Sequence, residues 1–252
     1  MVEITQASAE TPIEQVLERL EALVLEELEP HASLPSEGEL AQRFGVSRLT
    51  VREAVKILKG RGLVTVSQGR RPTVTEPSGA IIGSYFSAML RRDPSSLLDL
   101  LEVRQAVEVH AAGLAARRGS RSVVAALAAT LNEMRAAKGP EDFHDADGRY
   151  HDVLALASGN RMLIFVLEAL QAPLRESFIK SYEGHLLRGG GFEEVLDSHQ
   201  AIIDHVRDRD EQGAAKAMQA HLKQVELDLK TALRRSTEHS AKGRAVADDG
   251  GV

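Results

Sequence analysis

Residues 34–54 read LPSEGELAQRFGVSRLTVREA, a pattern that predicts two short helices joined by a tight turn. Ser36, followed three residues later by Glu39, is typical of a capping box at the start of a helix. Gly45 can adopt the left-handed backbone conformation that ends the first helix. Ser47 can then cap the second helix. The stretch therefore predicts a helix-turn-helix.

Branched residues dominate two short runs after the second helix, residues 63–66 (LVTV) and 72–75 (PTVT). The turn-forming residues 67–71 (SQGRR) separate the two runs, so the sequence predicts a β-hairpin. Two helices followed by a hairpin have the layout of a winged helix-turn-helix, a DNA-binding domain that we expect to occupy residues 1–75. Residues 76–81 contain a proline and a glycine and are expected to be a linker.

The charges along the chain favour DNA as the partner of this domain. The 252 residues carry a formal net charge of −6, whereas residues 40–75 hold eight basic residues and a single acidic one. A compact basic segment in an acidic protein indicates contact with phosphates. A charged helix face alone is more often only solvated, so the interpretation depends on its coincidence with the turn and the hairpin. Four basic residues recur at helical spacing opposite the apolar face of the second helix: Arg48, Arg52, Lys56 and Lys59.

The quoted run, together with the Gly-Leu-Val that follows at residues 62–64, resembles the N-terminal domain of GntR-type bacterial transcription regulators. The resemblance implies that the domain binds double-stranded operator DNA. This chain departs from the family pattern at Gly38, where an arginine is common, and at Arg71, where a glycine is common. We expect eight residues to contact DNA. Some are implied by the resemblance, and the others by their place in the basic stripe, at helix starts or at the hairpin tip. They are Ser36, Ser47, Arg48, Thr50, Arg52, Lys56, Gly69 and Arg70.

The remainder of the chain predicts helices, so the whole protein is expected to be mostly α-helical. Helical periodicity, interrupted by short polar or Gly/Pro breaks, predicts an all-α bundle of about seven helices over residues 82–235. Pro173 is expected to kink the fifth of these helices. The small, polar residues 236–252 are expected to form a disordered tail. The predicted helices cover residues 80–91, 95–118, 121–137, 141–157, 161–183, 192–207 and 211–235.

Composition excludes several classes of protein. The chain has no cysteine, and therefore no disulfide, thiolate metal ligand or cysteine nucleophile. Aromatic residues make up only 4%, which disfavours an all-β fold. No apolar run approaches the roughly 20 residues needed to cross a bilayer, and the polar, acidic N-terminus does not resemble a signal peptide. We therefore expect a cytoplasmic protein with no membrane partner.

Polar residues interrupt the apolar faces of three predicted helices. Asp147 and His151 lie one turn apart, and His199 and His221 each lie within an apolar stripe. A single inward-facing histidine is usually a hydrogen-bonded core residue. One carboxylate and three imidazoles together, however, form a ligand set for a first-row divalent ion. The sequence therefore predicts a metal site, with Zn²⁺ as the expected ion and Ni²⁺ or Mn²⁺ as alternatives.

The same residues carry a second resemblance. The segments DGRYH (147–151), SHQAI (198–202) and MQAHL (218–222) are similar to the metal-binding version of the FCD effector domain in the FadR subfamily of GntR regulators. This resemblance implies that the Asp and the three His side chains are the metal ligands. It also implies that such a domain forms a homodimer and responds to a small molecule.

Two arginines are candidates for binding that small molecule. Arg104 matches an arginine typical of the domain and could pair with an effector carboxylate, although an ion pair with Glu108 accounts for it equally well. Arg175 is a weaker candidate of the same kind. We expect a dimeric repressor, not an enzyme, that responds to a small carboxylate or sugar acid at the metal site. Two alternatives stay open, namely a metal-dependent hydrolase with a DNA-binding appendage and a purely structural metal.

Overall fold

The computed structural model describes residues 11–248, with the side chains of these residues except 176, 177 and 236–248. The chain divides into two compact units between Ile81 and Ile82. The described residues are mostly helical with one small sheet, which confirms the predicted fold class. Residues 1–10 and 249–252, at the ends of the predicted N-terminal domain and tail, lie outside the described residues.

The first unit packs helices and a hairpin around one apolar core. Its helix-turn-helix begins at the predicted capping box on Ser36, turns at Gly45 in the left-handed conformation (φ 70°) and restarts at the Ser47 cap. The predicted hairpin is present as two antiparallel strands. The elements are α1 (Pro12–Ala22), a π-helical turn (Leu23–Glu27), α2 (Glu37–Phe44), α3 (Arg48–Gly60), β1 (Val64–Thr65) and β2 (Thr73–Val74).

α1 ends at Ala22, and a wider π-helical turn follows that keeps both Leu23 and Val24 buried. One feature of this unit differs from the sequence prediction. The hairpin strands are two residues long instead of four. Residues 31–34 run beside β2 and exchange backbone hydrogen bonds with it. Local propensity carries no information about such a pairing between segments distant in sequence.

The second unit is a bundle in which seven helices share one apolar core, as the sequence predicts for this part of the chain. The long last helix packs against three of the others. The helices are α4 (Ala80–Arg92), α5 (Ser96–Arg118), α6 (Arg121–Ala136), α7 (Pro140–Ala157), α8 (Arg161–Leu187), α9 (Phe192–Arg207) and α10 (Glu211–Asp248).

Two of these helices are longer than predicted. α8 continues through Pro173 and ends at Leu187 instead of residue 183. α10 continues to Asp248, so residues 236–248 are helical and the prediction of a disordered tail is wrong for them. This stretch is polar, but its alanines, lysine and arginine are good helix formers, and polarity alone does not oppose a helix. Across the described residues, no helix combines the length and the apolar character that crossing a membrane requires.

Candidate metal centre and DNA-binding surface

Four polar side chains from three helices meet inside the second unit. Asp147 and His151 lie one turn apart on α7, His199 lies on α9 and His221 lies on α10, and none is more than 9% exposed. Each offers one ligand atom, and the four atoms all lie within 4.8 Å of one another. Because ligands sit about 2 Å from a bound zinc ion, small side-chain shifts would close this spacing around one ion. The structure thus brings together the four residues that the sequence indicated.

Outer hydrogen bonds orient two of the imidazoles. His199 Nδ1 lies 2.8 Å from the carbonyl oxygen of Val195, which can only accept, so this nitrogen carries the proton. Ser198 Oγ donates to the same carbonyl and therefore accepts from His221 Nδ1 at 2.9 Å. In their neutral form both histidines consequently present an unprotonated Nε2 to the centre, the arrangement typical of metal-binding imidazoles.

Glu108 on α5 lies beside the third imidazole. Its Oε2 is 2.5 Å from His151 Nδ1, and the side chain is only 2% exposed. Burial would raise the pKa of Glu108, but the positive charges of Arg104 and His151 outweigh this effect and lower the pKa to about 2. Its negative charge favours the proton on His151 Nδ1, which leaves His151 Nε2 for the centre. The sequence indicated Glu108 only as a partner of Arg104.

The centre contains the unsatisfied buried atoms that a metal ion would satisfy. Among the described residues, His151 Nε2 and His199 Nε2 are buried and make no hydrogen bond of acceptable geometry, although His199 Nε2 lies 3.1 Å from Asp147 Oδ1. Leaving buried nitrogens without a partner is costly. The donor set, its orientation and these orphaned atoms therefore fit a divalent ion.

The protonation states of the cluster also suit a metal ion. Burial would raise the pKa of Asp147, but His151, His199 and Arg104 outweigh it and lower that pKa far below its usual range. Burial lowers the pKa of His221 well below 6.5, and the neighbouring imidazoles lower it further. At neutral pH Asp147 is ionised and His221 is neutral, which are the forms that coordinate metals.

The cluster opens into a cavity of about 140 Å³. Asp147, His151 and His221 line this cavity, whereas His199 lies behind them and is fully buried. Arg104 also lines the cavity, so it combines the two roles that the sequence left open: it faces the cavity and forms an ion pair within its own helix.

Arg175, the second arginine predicted to bind the effector, does not line the cavity. Its side chain is 60% exposed and lies 3.9 Å from Asp145, so it points toward solvent. Arg175 lies on α8, where other residues occupy the cavity-facing positions. The spacing of residues along this helix did not show whether Arg175 lies on the cavity-facing side or on the solvent-facing side.

The basic stripe of α3 is exposed on the first unit, with Arg48, Arg52 and Lys56 all at the surface. Arg52 forms a two-pronged ion pair, in which Nε and Nη2 lie 3.0 and 2.6 Å from the two carboxylate oxygens of Glu37 on α2. This contact lowers the pKa of Glu37. The ion pair holds the guanidinium of Arg52 in one orientation at the surface, a feature that the sequence analysis missed.

Gly38 makes room for Arg48 at the junction of α2 and α3. A Cβ at residue 38 would lie 3.2 Å from Arg48 Nη2, so the guanidinium packs over the glycine. At the hairpin tip Gly69 has φ 73°, a conformation that favours glycine, and no atom lies within 4 Å of where its Cβ would be. Arg70 and Arg71 beside it are exposed. The basic residues of α3 and of the hairpin that are predicted to contact DNA are therefore exposed, although Arg52 is paired with Glu37 and Lys56 with Glu53.

Comparison with known proteins follows the division into two units. Residues 12–74 match the bacterial regulatory proteins of the gntR family, and residues 99–224 match the FCD domain. The chain belongs to the GntR family. Its fold is similar to that of a solved GntR protein from Streptococcus agalactiae, with 28% identity, a TM-score of 0.66 and coverage of 85% of this chain and 98% of that one.

Curated relatives of this GntR-family chain are transcription regulators. A protein of Escherichia coli strain K12 that is named for regulation of the L-lactate dehydrogenase operon is 32% identical, over 86% of each chain. The Glc operon transcriptional activator of the same strain is 28% identical, over 86% of this chain and 88% of that one. The transcriptional repressor NanR of Cronobacter sakazakii is 31% identical, over 86% and 82%. The chain is thus a transcription regulator and not an enzyme, and the hydrolase alternative finds no support.

Proposed function

We propose that this GntR-family regulator is a homodimeric repressor whose affinity for its operator is set by a small carboxylate or sugar acid bound at a divalent metal ion. The observation that carries the proposal is the cluster of Asp147, His151, His199 and His221, three of whose members line a cavity. A site with only a structural role needs no open side. Here the open side faces a space large enough for a small molecule.

The ligand would bind on the cavity side of the cluster. When bound, the metal ion supplies positive charge at this side, and a carboxylate oxygen would complete its coordination. The expected ion is Zn²⁺, with Ni²⁺ or Mn²⁺ as alternatives, because one carboxylate and three imidazoles suit all three. Arg104 adds a further cation at the cavity wall, partly neutralised by Glu108. A relative named for the L-lactate dehydrogenase operon supports a small carboxylate as the ligand.

The DNA-binding part of the proposal rests on the first unit. Two copies related by a two-fold axis would place two α3 helices in successive major grooves, so the operator would be pseudo-palindromic. Effector binding would change the equilibrium between dimers that fit this spacing and dimers that do not. We place the protein in the FadR subfamily and in the cytoplasm with its operator. The proposed DNA contacts come from Ser36, Ser47, Arg48, Thr50, Arg52, Lys56, Gly69 and Arg70.

The test begins with selection of genomic DNA fragments by the purified full-length protein, with and without a chelator. We expect a short palindrome to be enriched near a few promoters. Binding to that operator is then measured with Zn²⁺ and a panel of carboxylates. A carboxylate should weaken operator binding by the wild type and by a His110→Ala control, whose substituted residue is exposed on α5, but not by His199→Ala.

Three outcomes would count against the proposal. If neither the chelator nor any carboxylate changes the affinity for the operator, the protein has no sensing role. If the chelator lowers the melting temperature and no carboxylate raises it, the metal ion has a purely structural role. Operator binding that strengthens transcription from the neighbouring promoter would make the protein an activator.

A further inference from the structure

The few aromatic residues of the chain are concentrated at the cavity. The sequence has six phenylalanines, three tyrosines and no tryptophan. Four of these nine residues line the cavity beside the metal cluster, and they come from three different helices. We call them the aromatic wall: Phe143, Phe178, Tyr182 and Phe192.

The rings of the aromatic wall form a closed circuit of contacts. Phe192 lies 4.8 Å from Phe143 and 5.0 Å from Tyr182, measured between ring centroids. Phe178 lies 6.0 Å from Phe143 and 6.3 Å from Tyr182, again between centroids. Only Phe143 is buried, whereas Phe192 is 37% exposed and the other two are half-buried. The wall therefore leaves ring surface uncovered, which a bound aromatic group could cover.

The size of the cavity suits one ring. Its volume of about 140 Å³ is close to the roughly 150 Å³ of an engineered protein cavity that binds benzene. Along α10 the cavity extends from His221 to Asp228, a distance of about 10 Å at the usual rise per residue. A carboxylate at the metal would thus leave room for a single ring and a short substituent.

Several polar side chains that line the rest of the cavity already have partners, whereas His144 also lines it and its buried Nδ1 makes no hydrogen bond to any described residue. Ser181 donates to a backbone carbonyl at 3.4 Å, and Gln171 donates to Asp152. Both nitrogens of His185 are 3.1 Å from acceptors, Asp228 and the backbone of Gly191. Apart from His144, most of the hydroxyl groups of a sugar acid would face aromatic rings or polar groups already in use, and burying hydroxyls without partners is unfavourable.

The end of the cavity away from the metal carries carboxylates. Asp228 and Glu194 both line the cavity there, on either side of His185. Arg188 lies 3.3 Å from Asp228 and offsets part of this charge, but a second carboxylate on the ligand would still meet like charges, which opposes binding. The far end thus selects against dicarboxylates.

We propose that the effector is a monocarboxylate with a single aromatic ring, its carboxylate toward the metal cluster and its ring against the aromatic wall. This inference rests on the proposed function, because it assumes that the ligand binds at the metal. It narrows the ligand from carboxylates and sugar acids in general to aromatic acids. It also assigns Phe178, Tyr182 and Phe192 as residues that determine ligand specificity.

The test uses titration calorimetry of the full-length, Zn²⁺-loaded protein with benzoate, gluconate, lactate and terephthalate. We expect benzoate to bind at least about tenfold more tightly than the other three. Phe178→Leu should lower the affinity for benzoate by about twofold to tenfold, because leucine keeps apolar volume but lacks the ring. Phe165→Leu is the matched control, since Phe165 is a half-buried residue of the same helix that does not line the cavity.

The other outcomes separate this inference from the proposed function. Gluconate or lactate binding more tightly than benzoate would overturn the aromatic ligand and leave a metal-dependent carboxylate sensor. Equal losses for the two leucine variants would show that the wall does not contact the ligand. If no carboxylate binds, or if binding is the same without Zn²⁺, the proposed function and this inference both fall. Should Phe178→Leu fail to fold, Phe192→Leu replaces it, because Phe192 is 37% exposed.

Discussion

Replacing Glu108 with glutamine tests whether a buried carboxylate supports the metal cluster. Glutamine keeps the shape of the side chain but removes its charge. Arg104, which is 8% exposed, then loses its ion-pair partner, and His151 Nδ1 loses the negative charge that lies 2.5 Å away. Removing one partner of a buried ion pair is strongly destabilising, because the other charge stays in a poorly solvated place.

The size of the effect follows from the pKa of Glu108. A shift from the usual 4.5 to about 2 corresponds to about 3 kcal/mol of unfolding free energy at pH 7. This value agrees with the roughly 3–5 kcal/mol expected for breaking a buried pair. We therefore expect Glu108→Gln to lower the stability of the metal-free second unit by about 3 kcal/mol. Since Glu108 orients His151, we also expect Zn²⁺ affinity to fall by roughly tenfold to a hundredfold.

The pH dependence of the difference between the two proteins has a definite sign. The folded pKa of Glu108 is lowered, so its contribution is complete above the unfolded value of 4.5 and is lost as the pH falls toward 2. The stability difference between wild type and Glu108→Gln should thus shrink by about 1 kcal/mol between pH 7 and pH 4. Groups that do not interact with Glu108 titrate alike in both proteins and cancel in the comparison.

Urea unfolding followed by tyrosine fluorescence measures this difference. The chain has no tryptophan, and all three tyrosines lie in the second unit, so the signal reports that unit: Tyr85, Tyr150 and Tyr182. Competition with a chromophoric chelator gives the Zn²⁺ affinity. Glu102→Gln, an exposed glutamate on the same helix, is the matched control. Unchanged Zn²⁺ affinity in Glu108→Gln, or a stability difference independent of pH, would refute the reasoning.

Four further predictions concern DNA binding and the two units. Arg52→Ala should weaken operator binding by about tenfold to a hundredfold in fluorescence anisotropy, because it removes a side chain that can pair with guanine. Ser36→Ala should destabilise the first unit by about 1 kcal/mol, seen by circular dichroism as a lower melting temperature, because it removes the cap of α2. Gly184→Ala should destabilise the second unit in urea, because its Cβ would clash with the backbone oxygen of Asp228. Gly148→Ala, with no atom within 4 Å of its Cβ, should stabilise that unit by up to about 1 kcal/mol.

The sequence by itself determined features that depend on local interactions. The caps at Ser36 and Ser47 and the left-handed turn at Gly45 form between residues a few positions apart, so their pattern predicted the helix-turn-helix. Periodicity likewise predicted the seven helices of the bundle. Asp147 and His199 stood out because ionisable groups within apolar stripes are costly unless they find partners.

Tertiary structure alone decided which residues face one another. Glu37 meets Arg52 from another helix, and the rings of the aromatic wall come together from three helices. Periodicity tells which face of a helix is buried but not which side chains of other helices lie opposite that face. For the same reason the sequence could not separate Arg104, which lines the cavity, from Arg175, which points to solvent. That distinction depends on the rotation of each packed helix about its axis, which contacts between helices fix.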